Sequence, residues 1–334
     1  MRTQIISALA LILTLSACER EDKQFMGPAL TDIFGDFSVL EEFDISDRQV
    51  DFANGESTTF TALFSKQVDW EVRIEGLESG AIKSISGFSS ILDASTSAVW
   101  NGTTTELPLF KVEECAVELR VPSDSLVVHD TITVTSVRDI SGITIADFEN
   151  GMQSGWNVFA QSGANMSFAI RDDIPAAQGD KYYDMGGEVS WDYLIGLIDF
   201  PASAYPDGTF GLSPDPSAVY FNVMLYIPEG ITNEIVLFRF NEDENEDGLW
   251  SDSSEDQWAL ELTGLDQGWQ QVSIRYSDMV TLINGQPAAP FGNGLYEPNK
   301  LHTISVLFLA NPATGYSQTL MDYLIFTEGG PLVP

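Results

Sequence analysis

Residues 241–256 carry eight carboxylates and no cation. Inside this stretch, Asp243-Glu244-Asn245-Glu246-Asp247-Gly248 sets an oxygen-bearing side chain at every second position and then a glycine. That spacing lets Asp243, Asn245 and Asp247 wrap one hard cation, and the glycine permits the sharp turn that must follow the third ligand. It is the first half of an EF-hand-type calcium loop. Leu249 offers a backbone carbonyl at the seventh position, but the twelfth is Ser254 where a glutamate is expected. Asp252, Glu255 or Asp256 would have to close the shell. Crowded carboxylates repel one another, which favours a counterion over the alternative, a solvated acidic loop. Calcium is therefore expected as a structural ion.

No catalytic set is legible. The chain has two histidines, His129 and His302. His302 alternates with Ile304 and Val306 and reads as a half-buried sheet residue, and His129 falls in a Val-Val-His-Asp turn. Neither has the Cys or His neighbours that a zinc site needs. No Gly-x-Ser-x-Gly elbow occurs. The acids gather in an exposed-looking loop, away from the apolar strands that could hold a carboxyl protonated for glycoside cleavage. A non-enzymatic role is expected.

Other residues suit sugar binding, which needs aromatic planes for C–H faces and planar polar groups for hydroxyls. In residues 218–227, Val219, Phe221, Val223 and Leu225 form one apolar face, which leaves Tyr220, Asn222, Met224 and Tyr226 opposite. In 235–241, Val236, Phe238 and Phe240 read as core, so Leu237, Arg239 and Asn241 point away. In 269–276, Val272, Ile274 and Tyr276 read as core, with Gln271, Ser273 and Arg275 opposite. If the three strands are neighbours, these residues make one polar-aromatic groove. Trp191 and Tyr193 share a face and would line it, and Trp250 would stand at its rim. Trp156, Trp258 and Trp269 are assigned to the core. In strand proteins, each of these aromatics taken singly is more often a core residue.

Strands must position all of this. The 334 residues are 44% hydrophobic and 11% aromatic, ample for packed cores, and the length suits two domains. A formal charge of −35 with no basic stripe excludes nucleic acid as a partner. From residue 147 onward the cations are Arg171, Lys181, Arg239, Arg275 and Lys300. A domain so acidic repels polyanionic glycans, so a neutral polysaccharide is expected. Short alternating runs separated by turn residues indicate an all-β chain. In residues 31–140 they fall at 58–64, 70–74, 81–85, 109–112, 116–121 and 131–137, the rhythm of a sandwich. A junction near 136–142 leads to a second strand-rich segment, 141–334, whose size suits a jelly roll.

The N-terminus reads as an address. Arg2, the apolar run 5–15 and then Leu15-Ser16-Ala17-Cys18 form a secretory signal. The tetrapeptide resembles the bacterial lipobox, which implies cleavage after residue 17 and acylation of Cys18, a membrane anchor. Residues 18–30 are then the acylated cysteine and its tether. The acidic residues after Cys18 resemble the signal that sends lipoproteins of Bacteroidota to the outer face of the outer membrane. Cys115 is left without an intramolecular partner.

The first segment resembles bacterial immunoglobulin-like modules in size and rhythm, with Trp100-Asn101-Gly102 before a turn. In the second, Asp147-Phe148-Glu149-x-Gly151, Trp156, Gly179-Asp180-Lys181-Tyr182-Tyr183, Gly268-Trp269-Gln270-Gln271-Val272 and Met321-Asp322-Tyr323-Leu324 follow an order that resembles galactose-binding-like jelly rolls, many of them carbohydrate-binding modules. That resemblance implies a second structural calcium, held by Glu149, by Asp180 or the Lys181 carbonyl, and by Asp322. The alternative is ordinary capping and surface charge. The whole chain resembles surface glycan-binding lipoproteins associated with SusC/SusD-type importers. The implied function is to hold a neutral polysaccharide at the cell surface for uptake or degradation. The competing expectation is a calcium-stabilised structural or adhesive protein that binds a protein partner.

Overall fold

The computed structural model describes residues 35–188, 194–231, 235–309 and 315–334. Cys18, Trp191 and Tyr193 lie outside the described residues. Among the described residues, every regular element longer than a single 3₁₀ turn is a strand.

The first unit contains β1 (Val39–Ile45), β2 (Gln49–Asp51), β3 (Thr58–Gly76), β4 (Ile82–Leu92), β5 (Val99–Trp100), β6 (Glu114–Val121) and β7 (Leu126–Ser136). Their order is β1-β3-β6-β7-β2, and β4 and β5 also pair with β3. All pairs are antiparallel except β2 with β7. The sequence suggests two strands at 58–64 and 70–74, but the structure has one strand of 19 residues, β3. A register shift between Leu63 and Val68 bends it. Its first half pairs with β1 and β5, and its second half pairs with most of β4 and with β6. One strand thereby serves both layers of an immunoglobulin-like sandwich. Phe60, Phe64, Trp70, Val72 and Ile74 face the core on either side of the bend. His129 lies on β7 opposite Glu118, in a strand and not in the expected turn.

The second unit contains β8 (Ile143–Ala146), β9 (Asn157–Ala160), β10 (Ser167–Arg171), β11 (Tyr182–Gly187), β12 (Leu194–Pro201), β13 (Val219–Ile227), β14 (Ile235–Glu242), β15 (Gln257–Thr263), β16 (Gly268–Arg275), β17 (Leu282–Ile283), β18 (Gln286–Pro287), β19 (Leu301–Leu309) and β20 (Ser317–Glu328). A six-stranded sheet runs β10-β11-β20-β13-β16, with β8 also on β20. A five-stranded sheet runs β15-β14-β19-β12-β9. All of these pairs are antiparallel, and the two sheets close on one core as a jelly roll. The alternation read from β13, β14 and β16 holds: Phe221, Val223, Phe238, Phe240, Val272 and Ile274 all pack inward.

The two units meet on the outward face of the six-stranded sheet. Residues 109–112, expected as a strand, form a loop instead. Leu109 packs with Leu107 and Ile140 against Met224, Tyr323, Ile325 and Leu332, and its N–H donates to Ala177 O at 2.8 Å. Lys111 crosses the seam to Asp180 at 2.6 Å. Residues 329–334 are threaded between the units. Leu332 N donates to Asn222 Oδ1 at 2.9 Å, and Thr104 N donates to Pro334 O at 3.1 Å.

Beyond the bend, β3 and β4 approach closely. The Trp70 ring lies over Gly87 of β4, and a Cβ there would sit 2.4 Å from Cζ2. A buried indole cannot yield by that much. Gly87→Ala should therefore lower unfolding stability by about 1–3 kcal/mol. Urea denaturation of the full chain checks this, and an unchanged midpoint would contradict the packing described.

Candidate functional site

The outward face of the five-stranded sheet forms a recessed floor. Strand register sets two cross-strand rows. The first is Ala259, Arg239, Ser305, Asp199 and Asn157; the second is Glu261, Leu237, Leu307, Leu197 and Phe159. Leu237 and Leu307 are only 6% exposed although they point away from the core. They pack with Leu194, Leu197, Leu309 and Leu282 of the β17–β18 hairpin. The hairpin flanks β15, where Val280 bridges Ala259, and Gly285 stands near the Glu261 carboxylate. The Phe159 edge lies at the other side, on β9.

Two charges lie in this apolar floor. Arg239 is half-buried, and among the described residues no carboxylate lies within ion-pair distance of it. Burial presses its guanidinium below the usual arginine range. Asp199 is likewise half-buried, and burial pushes its carboxyl above the usual range against the pull of the Ser305 hydroxyl. The two flank Ser305, with backbones two strand spacings or about 10 Å apart, and no ion pair joins them.

The groove expected from three adjacent strands does not form. β13 and β16 are neighbours, but β14 belongs to the other sheet, so Arg239 points out of the opposite side of the sandwich. The face of β13 and β16 is largely covered by the seam. Asn222 is 0% exposed. Its Nδ2 donates to Tyr220 O, Ile325 O and Thr327 Oγ1, and its Oδ1 accepts from Ser273 Oγ and Leu332 N. Gln271 donates to Leu332 O. Arg275 donates to the Tyr220 hydroxyl through Nε and Nη2, at 2.9 and 2.7 Å, and lies over its ring. These four residues are tied to the scaffold rather than lining an open groove. Tyr226 stays half-buried toward the far end of the face, beside Trp269. Trp269 was expected in the core, but it lies on this outward face and donates to Pro175 O. Trp156 and Trp258 are core residues, at 7% and 3% exposure. Trp250 is half-buried, with its Nε1–H on Asp256 O.

The acidic loop folds upon its own backbone. Asp243 Oδ1 and Oδ2 accept from Asp247 N and Gly248 N, Asn245 Oδ1 accepts from Asp247 N, and Asp247 Oδ1 accepts from Leu249 N. Glu255 accepts from Asn245 N and Ser251 N, and Asp256 from Gly292 N and Gly294 N. Peptide N–H groups thus offset the repulsion that suggested a counterion. Below the loop, Glu242 is buried against the Tyr276 hydroxyl, and burial pushes its carboxyl up to about 7.

The second expected ion site is differently built. An extra residue bulges β20, with Tyr323 at φ 45°, so Asp322 and Tyr323 both face outward. Asp322 is 0% exposed and accepts from Gln178 N and Tyr323 N. Burial, with Glu149 and Asp147 nearby, holds its carboxyl well above the usual range. Glu149 Oε1 accepts from Asp180 N and Lys181 N. Gly179, at φ +64°, leaves the room that the Glu149 carboxylate occupies. The Asp180 carboxylate points instead to Lys111, which leaves the Lys181 carbonyl as the alternative read from the sequence. Among the described residues, no three His, Cys, Asp or Glu side chains converge as a metal cluster.

Sequence reading missed Asp199 and Ser305. The signal was present, since 197, 199 and 201 alternate with the core residues Ile198 and Phe200.

No protein-family profile matches the chain, and no curated protein does. Among solved structures, a family 11 carbohydrate-binding module from Clostridium thermocellum, in complex with a β-1,3-1,4-mixed-linked tetrasaccharide, is similar over 57% of this chain and 98% of its own, at 15% identity and a TM-score of 0.39. A family 30 carbohydrate-binding module covers 58% and 90%, at 12% identity and 0.38. A xylan-binding domain from Paenibacillus barcinonensis covers 57% and 96%, at 13% identity and 0.31. These are likenesses of outline; the fold itself rests on the strand registers above.

Asp199 sets a pH dependence. Its folded-state pKa lies above its unfolded one, so its cost is absent below the ordinary carboxylate range and grows as pH rises through the folded value. Asp199→Asn should therefore raise stability at pH 7 and flatten the decline between pH 4 and pH 7. Urea midpoints across that range check it; a variant less stable than the parent at pH 7 would contradict the assignment.

Proposed function

We propose that the second unit holds a neutral polysaccharide, without cutting it, along the outward trough of the five-stranded sheet. One observation carries the reading: Arg239 and Asp199 stand half-buried and unpaired with each other on either side of Ser305, in a floor of recessed leucines. Buried charges are retained at a cost unless something pairs with them. A sugar polymer is suited to do so. Its hydroxyls accept from a guanidinium and donate to a carboxylate, and its C–H faces lie on Leu237, Leu307 and the Phe159 ring. The opposed charges cancel across the trough, which favours an uncharged ligand. Trp191 and Tyr193 directly precede β12 in sequence, and the reading keeps them as candidate stacking residues.

The reading also keeps Cys18 as an acylated anchor that holds the chain on the outer membrane, where a SusC/SusD-type importer or a hydrolase would take the glycan. A structural calcium belongs to it as well, with Glu149, the Lys181 carbonyl and Asp322 as the holding groups. Among the described residues the buried Asp322 carboxylate has only peptide N–H partners, and Gly179 lets the Glu149 carboxylate lie against the same loop. Such an ion would neutralise Asp322 and lock the loop before β11 to the bulge of β20.

Native affinity gels containing mixed-linked β-glucan, xylan, galactomannan or laminarin test the binding. Arg239→Ala should weaken retention about 10- to 100-fold, the loss of a charge-assisted hydrogen bond. Retention by no neutral polymer, or retention indifferent to Arg239→Ala, would remove the reading. For the ion, EDTA should lower the melting temperature of the parent and not that of Asp322→Asn. Equal responses in both would remove the calcium.

A further inference from the structure

The outward face of the six-stranded sheet is not covered throughout. Away from the seam, an open depression of about 390 Å³ remains, and Arg171, Tyr182, Asp184, Tyr226, Gln318 and Leu320 line it. Register explains their convergence. Arg171 lies opposite Tyr182 across β10 and β11, Asp184 opposite Leu320 across β11 and β20, and Leu320 opposite Tyr226 across β20 and β13.

The polar groups are held in advance. Asp184 is 3% exposed and accepts from Arg171 Nε at 2.6 Å and from Gln318 Nε2 at 2.8 Å. It thereby fixes a guanidinium and a carboxamide side by side at the mouth of the depression, with the Arg171 side chain 45% exposed. The rings are fixed too. Trp269 meets Tyr226 edge-on at 5.3 Å and Tyr182 at 6.0 Å. The Tyr182 hydroxyl donates to Asp173 at 2.6 Å. Tyr316, 46% exposed, crosses Gly186, where a Cβ would collide with its hydroxyl. Gly186 in turn lies opposite Gln318.

We propose that this depression is a second saccharide site, on the side of the sandwich opposite the trough. It rests on the same glycan-binding reading. A pyranose ring fits against Tyr226 and Leu320, with adjacent hydroxyls taken by the Arg171 amino groups and the Gln318 carboxamide. Asp184 and Asp173 offset the charge of Arg171, so a uronic acid gains nothing over a neutral sugar. Two sites on opposite faces cannot easily share one stretch of polymer. They bridge two chains, so the protein cross-links a polysaccharide rather than merely coating it.

The experiment uses the full chain and the polymer that retains it in the affinity gels, cut to hexasaccharides. Calorimetric titration should give two hexasaccharides per chain. The double variant Arg171→Ala with Gln318→Ala, both outside the core, should give one, and so should Arg239→Ala. The parent should precipitate the intact polymer, and both variants should bind it without precipitation. A parent stoichiometry of one, abolished by Arg239→Ala and indifferent to the double variant, would overturn the second site and leave the trough standing. A stoichiometry of one abolished only by the double variant would make the depression the sole site and overturn the trough. Because the double variant strips the buried Asp184 of both donors, Tyr226→Ala is a second probe of the depression and should likewise give one hexasaccharide per chain; circular dichroism confirms that each variant is folded, and retention by no polymer removes both sites.

Discussion

One buried carboxamide joins the parts of this protein. Asn222 lies on the outward side of β13, where a strand residue would ordinarily meet solvent, yet its side chain bonds to β20, to β16 and to residues 329–334. A buried amide is stabilising only when its atoms are satisfied, and the second of the two bonds to its oxygen is made only while that segment lies in place. The segment in turn carries Leu332 into an apolar patch completed by Leu107 and Leu109 of the first unit. The first unit therefore docks on the second through a face that would otherwise be open.

This constraint decides which faces of the sandwich stay open. With the middle of the six-stranded sheet sealed, open surface remains at its β10–β11 end and on the outward face of the five-stranded sheet. In a chain with 50 acidic and 15 basic residues, the few cations matter individually. Lys111 ties the seam to Asp180, and Arg275 is engaged by Tyr220. Arg239 and Arg171 instead stand at the two open surfaces, one without a carboxylate partner among the described residues and one oriented by Asp184. Asp243, Asp247, Glu255 and Asp256 of the loop at 243–256 are held instead by peptide N–H groups.

Much of the architecture was legible in the sequence. The two-residue period of β13, β14 and β16 gave their inward and outward sets correctly, because a pleat allows only two faces and apolar side chains choose the buried one. The turn-separated runs gave the all-β class and the two-sandwich plan for the same reason. The errors have physical sources. Residues 109–112 have the composition of a strand, but Leu109 packs against the other unit, Phe110 packs on Trp100 in its own unit's core and Val112 is exposed, so the run is a docked loop and not a ladder. Trp269 reads as core, yet it is covered only from outside the sheet.

The sequence alone determined which side chains share a strand face, because alternation is a local property of an extended backbone. It did not determine which strands are neighbours, since sheet order depends on pairings between residues far apart in the chain. Tertiary structure therefore decided that Arg239 and Tyr226 face opposite sides, that Asn222 is sealed while Asp199 is not, and that Arg171, Tyr226 and Gln318 meet at all. Those are consequences of register and of what lies over each sheet, and neither is written in any single segment.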